Sequence, residues 1–193
     1  LSVKKWISIS DETYDLRGEA FLDYVYRELA YRIAKAMADK MIDKILACGT
    51  VSTTTCPGVP AITATSISIG LVAQAMGYLS DQARRPVVMM HQLTKAAFKA
   101  AQYAANFPID PFEGLDVVVN NHIAAFSAAT TGTAFMIVGD LENGALANFP
   151  NGEGINFKFD DLSQKKKDLI EVMGREYVAL DVIAPNHFVT VKK

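Results

Sequence analysis

The residues best suited to chemistry in this sequence are its three histidines, each at the end of a predicted strand. They are His91, His122 and His187, and they lie far apart along the chain. Histidine titrates near neutral pH and is a common general base and metal ligand. The sequence nevertheless contains no P-loop, dinucleotide-binding glycine pattern, nucleophile elbow or HExxH motif. Ordinary surface or hydrogen-bonded histidines are therefore favoured. The alternative is a small α/β enzyme with a site at the strand ends near His91, Asn120 and Asp140.

Two pairs of carboxylates were considered as sites of acid–base chemistry or cation binding. Asp160 and Asp161 are adjacent, and neighbours on a strand point to opposite faces, so this pair indicates a turn or a helix cap. Asp140 and Glu142 flank the end of a predicted strand and could bind a cation, but the sequence offers no third ligand beside them. We therefore predict no catalytic residues, no metal and no cofactor.

Length, charge and cysteine content limit the classes of protein to which the chain could belong. The chain has 193 residues, half of them hydrophobic, and a formal net charge of −2, which excludes a nucleic-acid binder built on a basic stripe. The one basic run, Lys165–Lys167, indicates a solvated helix start. Cys48 and Cys56 favour a reducing, intracellular setting over a disulfide framework. Half of a metal site is the alternative, but no CxxC spacing or nearby histidine supports it. No signal peptide or transmembrane run is found, and because the chain begins at Leu1 we expect it to be a fragment.

A long amphipathic stretch from Glu19 to Cys48 predicts one helix around which the chain is organised. It lacks proline and internal glycine, and Gly49 is suited to end it. Charges interrupt the stretch too often for a membrane span. Its apolar residues recur mostly every four positions, so the apolar stripe drifts around the helix instead of keeping a heptad. We therefore expect the two ends to bury different faces against different neighbours. A strand over Val3–Ser10 and a short helix broken at Gly18 should precede it.

After this helix the pattern indicates a compact α/β lobe followed by returning strands. A Thr, Ser, Pro and Gly-rich stretch over 51–68 marks a boundary between lobes. The predicted elements of the lobe are a helix over Ile69–Leu79, a buried strand over Pro86–Met90, a helix from Gln92 or Thr94 to Ala105 with Leu93 facing inward, and strands over Leu115–Asn120 and Ala134–Val138. Later strands over Ile155–Phe159, Val178–Val182 and His187–Val191 are expected to return to the first lobe.

Two sets of residues remain as candidates for contact with a partner. The loop Asn106–Gly114 carries Phe107, Ile109 and Phe112, which are either folded back onto their own lobe or presented to a partner. Arg175, Glu176 and Asp181 interrupt an apolar strand-like run. They indicate either a solvent-facing edge or ion pairs between subunits.

The order of these elements resembles the major capsid proteins of tailed phages, the Hong Kong 97-type fold. The stretch KKWISISDETYD with the long helix to CGT is similar to that family's strand, short helix, spine helix and terminal glycine. The stretch from SISIGLVAQAM to KAAQYA is similar to its helix, strand and helix. The family's later strands are similar to two further stretches. One runs from GLDVVVNN through MIVGD to GINFKF, and the other is the final REYVALDVIAPNHFVTVKK. The likeness spans nearly the whole chain and rests on order and spacing, because each motif is loose.

The resemblance implies an α+β fold with a peripheral domain of residues 1–65 and 145–193, which includes the spine helix 19–48, and an axial domain of residues 66–144. It implies a structural protein and not an enzyme, with an encapsulin-type nanocompartment shell as the alternative. The implied partners are copies of the chain in pentamers and hexamers, enclosed DNA held without sequence-specific contact, and scaffold or portal proteins, with no membrane. The implied location is the virion capsid, with assembly in the host cytoplasm.

Within that family, the resemblance directs attention to contacts between subunits. It makes the loop with Phe107, Ile109 and Phe112 a candidate for subunit contact. It implies that the charged helix face with Arg27, Glu28 and Arg32 faces the shell interior or a neighbouring subunit. Arg175 and Glu176 remain further candidates for contact from the strand pattern. Some members cross-link their subunits through an isopeptide bond. The corresponding positions here are Asp168 and Arg175, which are the wrong residue types, so we predict no self-cross-linking.

Overall fold

The protein is described from a computed structural model that covers residues 1–49, 58–112, 114–150, 154–160 and 167–193. This part of the chain forms two compact units. Unit 1 comprises Leu1–Lys40 and Ala147–Leu180, and unit 2 comprises Met41–Leu146 and Asp181–Lys193. The predicted division into 1–65 with 145–193 and 66–144 therefore differs from the compact units, which give residues 41–65, 145–146 and 181–193 to the second unit. Cys56, Asp161, Lys165 and Lys166 lie outside the described residues.

Unit 1 begins with a strand that runs directly into a very long helix. Strand β1 covers Ser2–Ser10 and helix α1 covers Asp11–Ala47. The hydroxyl oxygen of Ser10 accepts the backbone N–H of Thr13 at 3.3 Å, as an N-cap residue does. The predicted break at Gly18 is wrong, because the helix continues through it. A glycine costs a helix only about 1 kcal/mol relative to alanine, which the rest of a 37-residue helix can offset.

A three-stranded antiparallel sheet completes unit 1. Strand β7 covers Asn156–Asp160 and strand β8 covers Leu169–Tyr177, and the sheet order is β1-β8-β7. Helix α1 packs across it through apolar residues of both elements, whose buried members are Ile9, Val25, Leu29 and Val172. The ring of Tyr26 meets the ring of Phe157 edge-on, with centroids 4.7 Å apart. The drifting stripe thus buries one face of α1 here.

Unit 2 is built on a mixed five-stranded sheet. Its elements are β2 (Ala61–Thr63), α2 (Leu71–Met76), β3 (Val87–Met90), α3 (Gln92–Ala104), β4 (Val117–Val119), β5 (Ala134–Gly139), α4 (Leu141–Gly144) and β10 (Phe188–Lys192). The sheet order is β2-β10-β5-β3-β4. Every residue of the central strand β5 is buried, which is typical of a strand covered on both faces. Strands β6 (Ala145–Asn148) and β9 (Ala179–Val182) pair separately, and a 3₁₀ turn over Pro185–His187 precedes β10.

The last strand is the clearest departure from the sequence-based prediction. Strand β10 pairs antiparallel with β5 and parallel with β2, so it is an interior strand of unit 2 and does not return to the first lobe. Its sequence explains the choice, because all residues from Phe188 to Val191 are buried. Such a continuous apolar run suits a strand covered on both faces better than an edge.

The C-terminal end of α1 packs in unit 2. Ile42 and Ile45 are buried with Val59, Ile137 and Phe188, so this end uses a different set of neighbours from the N-terminal part, as expected. Gly49, just beyond the helix, has a left-handed φ of +66°, which favours glycine and matches its predicted role at the helix end. No described helix is long and apolar enough to cross a membrane.

Candidate functional site

The strand-end residues proposed for an enzyme do not converge. Strands β3 and β5 are antiparallel, with Val87 opposite Gly139 and Met90 opposite Met136. His91 and Asp140 therefore follow opposite ends of the strand pair, about 17 Å apart at 3.4 Å per residue. Asn120 lies near His91, because β4 runs parallel to β3. The alternative site at His91, Asn120 and Asp140 is thus wrong, because the antiparallel pairing of β3 with β5 places His91 and Asp140 at opposite ends of the two strands.

His91 and Asp140 each have a structural role instead. The Nδ1 atom of His91 accepts the backbone N–H of Leu93 at 3.0 Å, so His91 caps α3, which the sequence had assigned to Gln92 or Thr94. Leu93 was expected to face inward but is exposed. His122 Nε2 lies 2.6 Å from an oxygen of Asp43, and both side chains are partly exposed. His91 and His122 therefore have different partners. His187 lies in the 3₁₀ turn before β10.

Asp140 is a fully buried carboxylate whose two oxygens accept hydrogen bonds from the protein itself. It accepts the backbone N–H groups of Arg84, Arg85, Glu142 and Asn143, and also the side-chain amide of Asn143 at 2.8 Å. Burial by itself would raise the pKa of Asp140. The side-chain bond from Asn143 and the backbone bonds from Arg84, Arg85 and Asn143 outweigh it, and hold the pKa well below its usual range.

The two carboxylates that could have bound a cation, Asp140 and Glu142, have other partners. The Glu142 side chain is exposed, and its Oε2 atom lies 3.5 Å from Arg85 Nη1. The Asp140 oxygens already accept hydrogen bonds from N–H groups. Across the ranges that the structure describes, no three His, Cys, Asp or Glu residues are placed to hold a metal ion. Asp140 therefore links the turn before β3 to the start of α4.

The loop after α3 divides its three hydrophobic residues between core and surface. Phe112 is 2% exposed and packs on Phe98, with ring centroids 5.6 Å apart, so its prediction as an exposed contact residue is wrong. Phe107 is 39% exposed and Ile109 is 60% exposed. The side-chain amide of Gln102 donates to the backbone oxygen of Ile109 at 2.8 Å. The loop is therefore tied to α3 while it presents two apolar side chains.

A salt bridge reinforces this loop. Lys99 Nζ lies 2.5 Å from Asp110 Oδ1, joining α3 to the segment between Ile109 and Phe112. The ammonium also lies 5.4 Å from the centre of the Phe112 ring, within the range of cation–π attraction. Both charged side chains are partly exposed, so the pair contributes modestly to stability. Its main effect is to hold the loop in one position.

The charged residues predicted on α1 lie on its surface and pair within the helix. Arg27 bonds Asp23 at 2.8 Å and Arg32 bonds Glu28 at 2.6 Å, each one turn apart. Tyr24 and Tyr31 are exposed among them, at 63% and 65%. In each pair the two charges neutralise each other while both side chains stay in contact with water. This face of the helix is therefore exposed.

Arg175 and Glu176 do not lie on an edge. They belong to β8, the middle strand of its sheet, and Glu176 is only 3% exposed. Both interpretations of the pair, a solvent-facing edge and a strand that meets a neighbour, are therefore wrong for Glu176. Its Oε2 atom is buried and has no hydrogen-bond partner among the residues that the structure describes. The Arg175 guanidinium lies 4.8 Å from the centre of the Tyr177 ring. Only Asp181, outside β8, is exposed.

One exposed residue was overlooked in the sequence. Trp6 is 64% exposed on β1, and it points to the face opposite Val3 and Ile9. The strand alternation could have identified it, because the three apolar residues Val3, Ile7 and Ile9 define the buried face and leave Trp6 on the other. Tryptophan is highly buried on average, so a tryptophan with this exposure is unusual.

Comparisons with known proteins agree with this architecture. The chain superimposes on the capsid of an empty GTA particle, solved with C5 symmetry, with a TM-score of 0.77 and 15% identity over 99% of this chain and 71% of that one. For the Gordonia phage Cozz structure the TM-score is 0.63 and the identity 13%, over 100% and 69% of the two chains. An encapsulin complex from Synechococcus elongatus gives a TM-score of 0.65 and 12% identity, over 100% and 73%.

Identities this low establish the fold alone, and a search of curated proteins returns no match to the sequence. The family comparison goes further, because it aligns the chain from residue 2 to its last residue with the Phage capsid family. An α+β chain with a long helix and two compact units agrees with that family. The chain belongs to the Phage capsid family and is a capsid shell protein of the Hong Kong 97-type fold.

Proposed function

We propose that this protein is the major head protein of a tailed phage or prophage and assembles with copies of itself into an icosahedral shell that encloses DNA. The family match over residues 2–193 carries this proposal. The solved structures that it resembles include the capsid of a GTA particle and a phage named Cozz. No catalytic activity is expected of the protein in this role.

Unit 1 then corresponds to the peripheral domain and unit 2 to the axial domain, which in this family gathers around fivefold and sixfold vertices. The loop with Phe107 and Ile109 supports a ring contact in unit 2. Its two exposed apolar side chains are held by the bond from Gln102 and the Lys99–Asp110 pair. Pre-ordering of this kind lowers the entropy lost when a neighbour binds. Such a head-to-tail contact closes into rings of five or six copies.

DNA would be enclosed without sequence-specific contact. A net charge of −2 gives the chain no basic stripe with which to neutralise many phosphates, so retention by enclosure suits it better than direct binding. Further partners in this role are scaffold and portal proteins, with assembly in the host cytoplasm.

Microscopy tests the proposal most directly. The protein should be expressed from its complete reading frame, concentrated and imaged in negative stain. Closed shells or rings of five and six subunits are expected. A protein that stays monomeric at high concentration would overturn the proposal.

A nanocompartment shell is the second candidate, supported by the likeness to the Synechococcus elongatus encapsulin complex. The contents of shells isolated from the native host separate the two functions. Nuclease-protected DNA of uniform length is the result expected of a phage head. A single co-purified protein without DNA would favour the nanocompartment.

A further inference from the structure

A cleft opens at one end of the five-stranded sheet of unit 2. It has a volume of about 490 Å³ and lies where β3 and β4 begin and β5 ends. Pro86, Val87, Leu115 and Leu141 supply apolar walls, and each of these residues is half-buried. We call this feature the end cleft. Apolar side chains around one concave opening are suited to receive an apolar group from outside.

The end cleft is open to solvent. The side chains of Arg85 and Glu142, which also line it, are 80% and 65% exposed. A small-molecule site buries most of the surface of its ligand, and a cleft with walls as exposed as these does not. A projecting segment of protein therefore fits this opening better than a small molecule does.

The loop after α3 is a rigid projection with apolar side chains. Helix α3 ends in a Schellman motif, in which Asn106 has a left-handed φ of +49° and the backbone N–H of Phe107 donates to the oxygen of Gln102 at 3.1 Å. The side chain of Gln102 then bonds the backbone of Ile109. Phe107 and Ile109 are therefore held in fixed positions, which lowers the entropy lost when they bind a partner.

This loop does not fill the end cleft of its own copy. The bond from Gln102 to Ile109 and the pair Lys99–Asp110 hold it against α3. Gly114, at a left-handed φ of +79°, then turns the chain between the loop and the cleft wall, of which Gly114 is itself a part. The projection and the cleft are therefore two separate patches on the surface of unit 2.

We infer that the loop after α3 of one copy enters the end cleft of the next copy, with Phe107 and Ile109 against the apolar walls. The inference rests on the proposed shell function, because it names the surface that receives the loop in the proposed ring contact. Since the projection and the cleft are different patches, the contact is head-to-tail, the kind that closes into rings. Side chains that fill a pocket of the partner supply most of the binding energy of an interface.

The charges of the two patches are complementary. Arg84 and Asp116 line the cleft and are exposed, and neither side chain forms an ion pair with another described residue. Beside the loop, the paired side chains of Lys99 and Asp110 are 40% and 44% exposed. A docked loop can place its Asp110 beside Arg84 and its Lys99 beside Asp116 of the other copy. Charge pairs of this kind fix the orientation of a contact more than they add to its affinity.

Site-directed cross-linking tests which surfaces meet. In the complete chain with Cys48 and Cys56 replaced by alanine, copies with Ile109→Cys are mixed before assembly with copies with Arg85→Cys and treated with a short bismaleimide. Docked cysteines react at the high effective concentration of a bound pair, so we expect about tenfold more mixed covalent dimer than from Tyr103→Cys mixed with Arg85→Cys.

Tyr103 is the matched control for this measurement. At 80% exposure it is more accessible than Ile109, but it lies on α3 and outside the loop. Equal yields from Ile109→Cys and Tyr103→Cys, the result expected if a different protein fills the cleft, would overturn the inference. So would a homodimer of Ile109→Cys alone in equal yield, because the loop would then meet another loop.

The same two substitutions in one chain test closure. A head-to-tail ring joins each loop to the next cleft, so Ile109→Cys with Arg85→Cys should give a ladder of covalent products that ends at five or six subunits. Products that stop at dimers would show that two copies exchange their loops about a twofold axis, and would overturn the inference.

Charge reversal tests the orientation of the docked loop. Lys99→Glu with Asp110→Lys keeps the pair within the loop but inverts its polarity, and should raise the concentration needed for ring formation in sedimentation about fivefold. Arg84→Glu with Asp116→Lys inverts the cleft and should have the same effect. All four changes together restore opposite charges across the contact and should recover ring formation. A folded protein with all four changes that does not recover would contradict the inference.

The two proposals fail separately. Shells without the cross-link from loop to cleft would overturn this contact and leave the shell function intact. The mixed cross-link without closed rings or shells would support the contact and count against the shell function. A monomer at all concentrations, with no cross-link, would overturn both.

Discussion

Asp140 accepts the backbone N–H of Arg84 at 2.9 Å, across 56 positions of sequence. The same carboxylate caps α4, so one buried charge holds two chain segments beside the central strand of unit 2. A buried charge of this kind is tolerated only because its oxygens are saturated by donors. Its stability and titration are therefore sensitive to single changes.

We predict that Asp140→Asn destabilises the protein by about 2–3 kcal/mol at pH 7, because several charge-assisted hydrogen bonds are weakened and one lone-pair site becomes a donor facing donors. Urea unfolding measures the loss. Asp116→Asn, which changes an exposed carboxylate, is the control and should shift stability by less than about 0.5 kcal/mol. A stable Asp140→Asn variant would contradict the assigned role.

The same residue predicts a pH dependence. The pKa of Asp140 is lower in the folded protein than in the unfolded chain, so the unfolded state binds the proton more readily as the pH falls. Its stabilising contribution is complete above the unfolded value of about 4, starts to decrease there, and is lost only as the pH falls through the lower pKa of the folded state. The stability difference between the natural protein and Asp140→Asn should therefore shrink between about pH 5 and pH 3. A difference that stays constant over that range would be inconsistent with the lowered pKa.

The loop after α3 should respond to mutation in two distinct ways. Phe112→Ala removes a buried ring and should cost about 3–5 kcal/mol. Ile109→Ser changes an exposed side chain, so its thermal transition should stay within about 0.5 kcal/mol of the natural protein. Ring and shell formation should nevertheless decrease in Ile109→Ser if this loop contacts a neighbour. Tyr103→Ser, at an 80% exposed position on α3, is the matched control for assembly. Equal assembly by both variants would remove the loop from the interface.

Two glycines should differ in their tolerance of alanine. A β-carbon at Gly139 would lie 2.6 Å from the backbone oxygen of His187 and closer still to the Phe188 ring, so Gly139→Ala should cost about 3 kcal/mol or more. At Gly174 the obstacle is the terminal methyl group of Ile33, which can rotate away, so the cost should be about 1 kcal/mol. Denaturant midpoints measure both. Adding Ile33→Val should relieve the Gly174→Ala variant but not Gly139→Ala.

Thr94 provides a test of a buried hydrogen bond. It is fully buried, and its hydroxyl oxygen accepts the backbone N–H of Phe126 at 3.0 Å. Thr94→Val keeps the shape but leaves that N–H without an acceptor, so we expect a loss of about 1–3 kcal/mol in the free energy of unfolding. Thr94→Ser keeps the hydroxyl and should lose less. If serine costs as much as valine, the methyl packing and not the hydrogen bond is important.

Local patterns in the sequence were sufficient to predict most of the helices and strands. The strand over Val3–Ser10 and the buried runs over Pro86–Met90 and Ala134–Val138 were predicted close to their observed positions. The helix predicted over Glu19–Cys48 exists, but it begins eight residues earlier, at Asp11. Periodic burial is a property of neighbouring residues, so it can be read without knowledge of the partners. The order of those elements was also sufficient to indicate the Phage capsid family.

The tertiary structure decided which elements are neighbours. Antiparallel pairing of β3 with β5 separates His91 from Asp140, and the insertion of β10 beside β5 moves the C-terminus into unit 2. The placement of Phe112 in the core and of Glu176 in a middle strand also depended on contacts distant in sequence. Strand order and register arise from packing between segments far apart in the chain, and no local periodicity encodes that packing. The sequence by itself therefore determined the elements and the family, while only the fold determined which side chains are left on the surface to meet another copy.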